Sequence, residues 1–112
     1  MQVVDHMVKQ HGKRHCETAL FMCSLASLLI MDRNLEAAHD LLDEGVPVLQ
    51  DGLGTFHPAV TFALADYGEA CLAVHRLNVS KRAFKKAVEG TQRNPECFSD
   101  DFVQRVTNGS TL

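Results

Sequence analysis

LGTFHPAV, residues 53–60, sets a glycine, a histidine and a proline between two long apolar stretches. Either it is a small active site with His57 as base or ligand, or it is the turn between two helices. Sliding the sequence along itself until position 11 falls on position 53 lays HGKRHCET (11–18) on LGTFHPAV, with Gly12 on Gly54 and His15 on His57. Leu35 then meets Leu77, Val46 meets Val88 and Gln50 meets Gln92. So few identities over a copy of this length are close to chance. Agreement in kind is stronger: positions 20/62, 21/63, 22/64, 23/65, 28/70, 29/71, 30/72, 41/83 and 42/84 are apolar in both copies, and Ala26 falls on Gly68. A fixed period of this size marks stacked helical repeats.

Each copy divides into two helical pieces. The first pieces, about 16–31 and 58–75, space their apolar residues at i, i+3, i+4 and i+7: Met22, Leu25, Ala26, Leu29 and Leu64, Tyr67, Gly68, Cys71. Pro58 suits a first helical turn, which puts His57 at the cap. Asp32-Arg33-Asn34 and His75-Arg76-Leu77-Asn78 read as short polar turns, with Asn34 and Asn78 as N-caps. The second pieces, about 35–50 and 79–92, turn Leu35, Ala38, Leu41, Leu42 and Val79, Ala83, Phe84, Ala87, Val88 inward. Pro47 removes a hydrogen bond and clashes with the preceding turn, so with Gly45 beside it a kink or an early end near 44–46 is expected. Val3, Val4, Met7 and Val8 form a short apolar stripe at the start. Ser99-Asp100-Asp101 looks like a helix start before Phe102, Val103 and Val106.

Bulk properties bound the rest. The 112 residues suffice for one domain, and 46% hydrophobic with 22% charged residues is a globular composition. A net charge of −3 argues against a dedicated nucleic-acid binder. The longest apolar runs, such as Leu28-Leu29-Ile30-Met31, are too short to span a membrane. The opening MQVVDHMVKQHGKRH lacks a secretory-signal layout, and Cys16, Cys23, Cys71 and Cys97 form no CxxC pair. Reduced thiols and a cytoplasmic location are the expectation.

The residues also carry a family likeness. Met22, Leu25, Ala26 and Leu29, followed by Ala38 and Leu42, resemble the tetratricopeptide pattern W-x2-L-G-x2-Y…A-x3-F, as do Leu64, Tyr67, Gly68 and Cys71, followed by Ser80, Phe84 and Ala87. The period of 42 with LGxxHPxV before the first helix looks like the longer repeats of kinesin light chains. Ser80 and Gly45 stand where that family favours alanine, and Cys71 and Leu29 where it favours an aromatic residue. The resemblance implies an all-α, right-handed superhelix of stacked hairpins. The resulting layout is one domain over 1–106, with repeats about 11–52 and 53–94, flanking helices 2–10 and 95–106, and a disordered tail 107–112. It also implies a non-enzymatic protein-interaction module whose peptide lies along a concave face of first helices. Carried over, that groove is Leu20, Cys23, Ser24, Ser27 and Met31 with Phe62, Ala65, Asp66, Glu69 and Ala73. Asp66 and Glu69 would repel a carboxylate, so an apolar or basic peptide is the expected partner. The alternative is a self-associating or structural segment of a larger assembly, because a short stack leaves apolar ends.

Catalysis and metals find little support in the residues. Beside His57 stand only Thr55 and Thr61, and its recurrence as His15 fits a shared capping role. His11, His15 and Cys16 have a glycine between them at a predicted turn and no fourth ligand. No phosphate loop or GxSxG is present, so no enzyme activity, metal or cofactor is expected. Charges are more telling. Asp40, Asp43 and Glu44 fall on Arg82, Lys85 and Lys86 in the second copy, which suggests inter-repeat ion pairs. The sharper alternative makes Lys81, Arg82, Lys85, Lys86 and Arg93 a docking patch for an acidic partner or phosphate.

Overall fold

Pro58 and Asp100 each begin a helix, as far apart along the chain as the period read from the sequence. Leu35 and Leu77, the starts of the intervening helices, keep the same spacing. In the computed structural model, which describes residues 16–111, the helices are α1 (Cys16–Met31), α2 (Leu35–Leu53), α3 (Pro58–Ala73), α4 (Leu77–Arg93) and α5 (Asp100–Ser110). A 3-10 turn, Pro95–Cys97, precedes α5. The described residues contain no strand, and the fold is all-α. The apolar stripe near residues 3–8, the expected helix 2–10, His11 and His15 lie outside the described residues.

Each helix packs on the next one in the chain: α1 on α2, α2 on α3, α3 on α4 and α4 on α5. Lighter contacts join α1 to α3 and α3 to α5, so these three line up on one side. A helix covered by two neighbours needs apolar residues around much of its girth. Accordingly α3 buries Val60, Thr61, Ala63, Leu64, Ala65, Gly68, Ala70 and Cys71, whereas α4 buries one face and exposes a charged one.

The α1–α2 and α3–α4 turns share one geometry without sharing sequence. Arg33 and His75, at matching positions of the two copies, adopt φ of 65° and 64°. The Asn34 N–H donates to the Leu29 carbonyl and the Arg76 N–H to the Cys71 carbonyl, both at 2.8 Å. This six-to-one bond satisfies a carbonyl that the helix end would orphan. Backbone geometry, not cap chemistry, therefore starts the second helices. Asn34 sits at the N-cap without a side-chain capping bond, and Asn78 is displaced as cap by Arg76, since the turn closes two residues earlier.

LGTFHPAV is a turn. Gly54 takes a φ of 92°, which favours glycine. His57 caps α3, its Nδ1 accepting from the Ala59 N–H at 3.1 Å, and Pro58 fills the first helical position. Ser99, at the next equivalent position, caps α5 by accepting from the Phe102 N–H at 3.2 Å.

Two expectations are corrected. Pro47 neither ends nor shortens α2, which runs on to Leu53. Its ring faces solvent, while Leu42, Gly45, Val46 and Leu49 on both sides are buried and hold the helix across the missing bond. The tail expected as disordered from 107 instead continues α5 to Ser110. Val106 is fully buried, and Gly109 lies against the Phe84 ring so closely that a Cβ would stand 2.6 Å from it. Gly68 of α3 meets the same ring, also with a Cβ distance of 2.6 Å. Phe84 thus fills a slot that two glycines leave open.

Candidate functional site

On the side where α1, α3 and α5 line up, α1 presents Leu20, Ser24 and Ser27 and α3 presents Phe62, Asp66 and Glu69. Each set follows i, i+4, i+7 spacing, so each forms one stripe. Between the stripes lies a cavity of about 220 Å³, lined by Leu20, Cys23, Ser24, Ser27, Phe62 and Asp66, with Leu49, Ala59 and Ala63 completing it. Six of the ten residues expected in the groove therefore converge. Ala65 is fully buried, facing the core, and cannot touch a ligand. Met31 and Ala73 are exposed but lie outside the cavity, as does Glu69.

Phe62 keeps 46% of its surface exposed although two other rings touch it. Its centroid stands 5.1 Å from Phe98 and 4.8 Å from Phe102, tilted against both. Tilted rings set the edge of one against the face of another, a favourable arrangement. Arg105, one turn beyond Phe102 on α5, reaches back to α3. Its Nε donates to Glu69 Oε1 at 2.7 Å and its Nη2 to Asp66 Oδ1 at 3.3 Å. The carboxylates expected to await a basic ligand thus already have a cation from the chain itself. Sequence reasoning missed this pairing because Arg105 lies in a separate helix, 39 residues from Asp66.

Arg105 does not fully compensate Asp66. Burial raises the Asp66 pKa to about 6, the guanidinium opposes that rise, and the neighbouring Glu69 charge adds to it. A partly buried carboxyl with a perturbed pKa beside a cavity is a candidate recognition group. Cys23 is different: burial pushes its thiol up to about 12, so it is a packing residue and not a nucleophile.

On the opposite side, Lys81, Arg82, Lys85 and Lys86 are all exposed on α4. The expected pairing of acidic α2 with basic α4 does not form around Asp43 and Asp40. Asp43 accepts from the Tyr67 hydroxyl and, at 3.1 Å, from Arg76, which together hold it below the usual carboxylate range. Asp40 lies 3.3 Å from His39 Nδ1. Arg76 Nη1 stands 2.8 Å from His39 Nε2; since arginine can only donate, Nε2 accepts and Nδ1–H donates to Asp40. Tyr67 rises from α3 and Arg76 from the turn, and they meet Asp43 before α4 can, while Asp40 is met by His39 of its own helix. Among the described residues, no three His, Cys, Asp or Glu side chains are grouped to hold a metal ion, and no helix is long and apolar enough to cross a membrane.

Compared with known proteins, the chain matches no family model and no curated sequence.

Proposed function

We propose that this chain is a tetratricopeptide-like, non-enzymatic interaction module that binds a partner peptide or helix along the α1/α3/α5 side. The observation that carries the reading is the cavity between the Leu20 and Phe62 stripes, apolar along its walls and holding one partly buried carboxyl, Asp66. Ligand sites are commonly apolar pockets with a few placed polar groups. An apolar anchor seated against Leu20 and Phe62 and a Lys or Arg reaching Asp66 would use both. Arg105 draws closest to Glu69, at 2.7 Å, which leaves Asp66 room for a second donor.

Because a cation beside Asp66 favours its charged form, binding of such a peptide releases a proton below pH 6 and strengthens as pH rises through that value. The experiment is a titration of a peptide library against the intact chain and against a Leu20→Ala/Phe62→Ala variant. Basic peptides with an apolar anchor should bind the parent and lose at least about tenfold with the variant, an effect of about 1.4 kcal/mol. Equal binding by both proteins removes the groove reading.

Self-association is the second reading, favoured by one observation. Leu28 and Met31, three residues apart on α1, are 61% and 77% exposed. Light scattering across a dilution series separates the readings: a stable oligomer that Leu28→Ser dissolves favours assembly.

A further inference from the structure

We infer that the outer face of α4, with the slot beside it, is a second docking surface, for an acidic protein segment carrying one apolar anchor. The slot has a volume of about 180 Å³ and runs between α2 and α4 over α3. Val46 and Pro47 form one wall, Val79 the other, and Leu64 the floor, while Arg82 and Lys86 stand at the rim. It stands apart from the α1/α3 cavity, with which it shares no lining residue.

The basic row does nothing for the fold that would explain it. Lys81, Arg82, Lys85 and Lys86 form no ion pair among the described residues. Lys81 with Lys85, and Arg82 with Lys86, are like charges four apart, a spacing that destabilises a helix. Glu89 is the one acid on α4 and makes no ion pair there, and Asp43, which matches Lys85 in the repeat, is committed to Tyr67 and Arg76. A stripe that weakens its own helix and forms no ion pair among the described residues is arranged to meet an external charge.

Charge alone would suit any polyanion; the slot narrows the choice. It has room for one aliphatic or aromatic side chain, which an acidic peptide can insert and a phosphate backbone or flat headgroup surface cannot. The remainder of the molecule is acidic, with a net charge of −3 overall, so an acidic segment is attracted here and repelled elsewhere.

The test uses the intact chain and a fluorescein-labelled peptide of Asp and Glu residues around a single Leu. Two control peptides carry Ala for the Leu, or Lys for the acids. Anisotropy should show binding of the Leu probe that weakens severalfold between low and physiological ionic strength. The Ala probe should bind about fivefold less tightly and the Lys probe not at all. Arg82→Gln/Lys86→Gln should lose about tenfold or more, Phe62→Ala less than about twofold. The Gln pair should melt no lower than the parent, since it relieves repulsion; a purely structural row predicts a lower melt. Any of four results overturns the proposal: no binding of the Leu probe, equal binding of the Leu and Ala probes, no effect of the Gln pair, or a loss with Phe62→Ala as large as with the Gln pair. Tighter binding of phosphatidylserine vesicles or single-stranded RNA than of the Leu probe also overturns it. Because the groove variant and the slot variant are read separately, failure here leaves the α1/α3 reading standing.

Discussion

Where the first repeat buries Leu42 with Ala26, the second buries Phe84 with Gly68 at the matching positions. The larger ring comes with the smaller partner, a different division of volume at the same place in each helix pair. Close-packed interiors demand this compensation, because neither a void nor a clash is cheap. The same comparison separates the charges. Asp43 in the first repeat is held by Tyr67 and Arg76, while Lys85 at the matching position of the second faces solvent. Core positions in the two copies vary together under steric constraint, and surface positions diverge freely.

The largest expected effect strikes at the core comparison. Even the Cβ of an alanine at 68 would stand 2.6 Å from Phe84, so Gly68→Leu should destabilise by about 3 kcal/mol or more in urea denaturation. Gly68→Ala should cost about 1–3 kcal/mol alone. Combined with Phe84→Leu, which recreates the first repeat's pair, part of that cost should vanish, a coupling of about 1 kcal/mol. Purely additive effects would break the claim that the two pairs are alternative solutions.

Asp66 offers the next effect, since the first repeat has Ser24 at its position. Its folded pKa of about 6 lies above the ordinary 3.8, so the folded state binds more protons between those values. Stability from this group is therefore full below about pH 4 and is lost as pH rises through 6. Asp66→Asn should flatten that slope and raise stability at pH 7, on the order of 1–2 kcal/mol after allowance for the weakened Arg105 contact. A variant that is less stable than the parent at pH 7, with the slope unchanged, would mean that Arg105 fully compensates the carboxylate.

The smallest effect sharpens the comparison at the helix starts. Thr18 is fully buried with no hydrogen-bond partner for its hydroxyl among the described residues, and the matching residue of the second copy is buried Val60. Thr18→Val keeps the shape and removes the unsatisfied group, and should stabilise by about 1 kcal/mol. Destabilisation would show that the two starts are packed differently.

The helix starts at 35 and 58 and the His57 cap were legible because they rest on local rules: apolar spacing and proline at a first turn. Pro47 misled because its helix-breaking tendency is a local property, and the burial of Val46 and Leu49 that overrides it is not. Residues 107–110 misled for the same reason, since polar Thr107 and Asn108 give no hint that Gly109 is pressed against Phe84. The candidate site divides along this line. Sequence periodicity put Leu20 with Ser24, and Phe62 with Asp66, on one face of their own helices; that the two faces line one groove is what the tetratricopeptide resemblance implied. Only the tertiary structure decided that Arg105 would meet Asp66 and Glu69, and that Arg76 and Tyr67 would take Asp43 from the bases of α4. Periodicity places a residue on a face; which opposite charge comes within reach depends on how separate helices pack, and Coulomb attraction acts only across the distances that packing leaves.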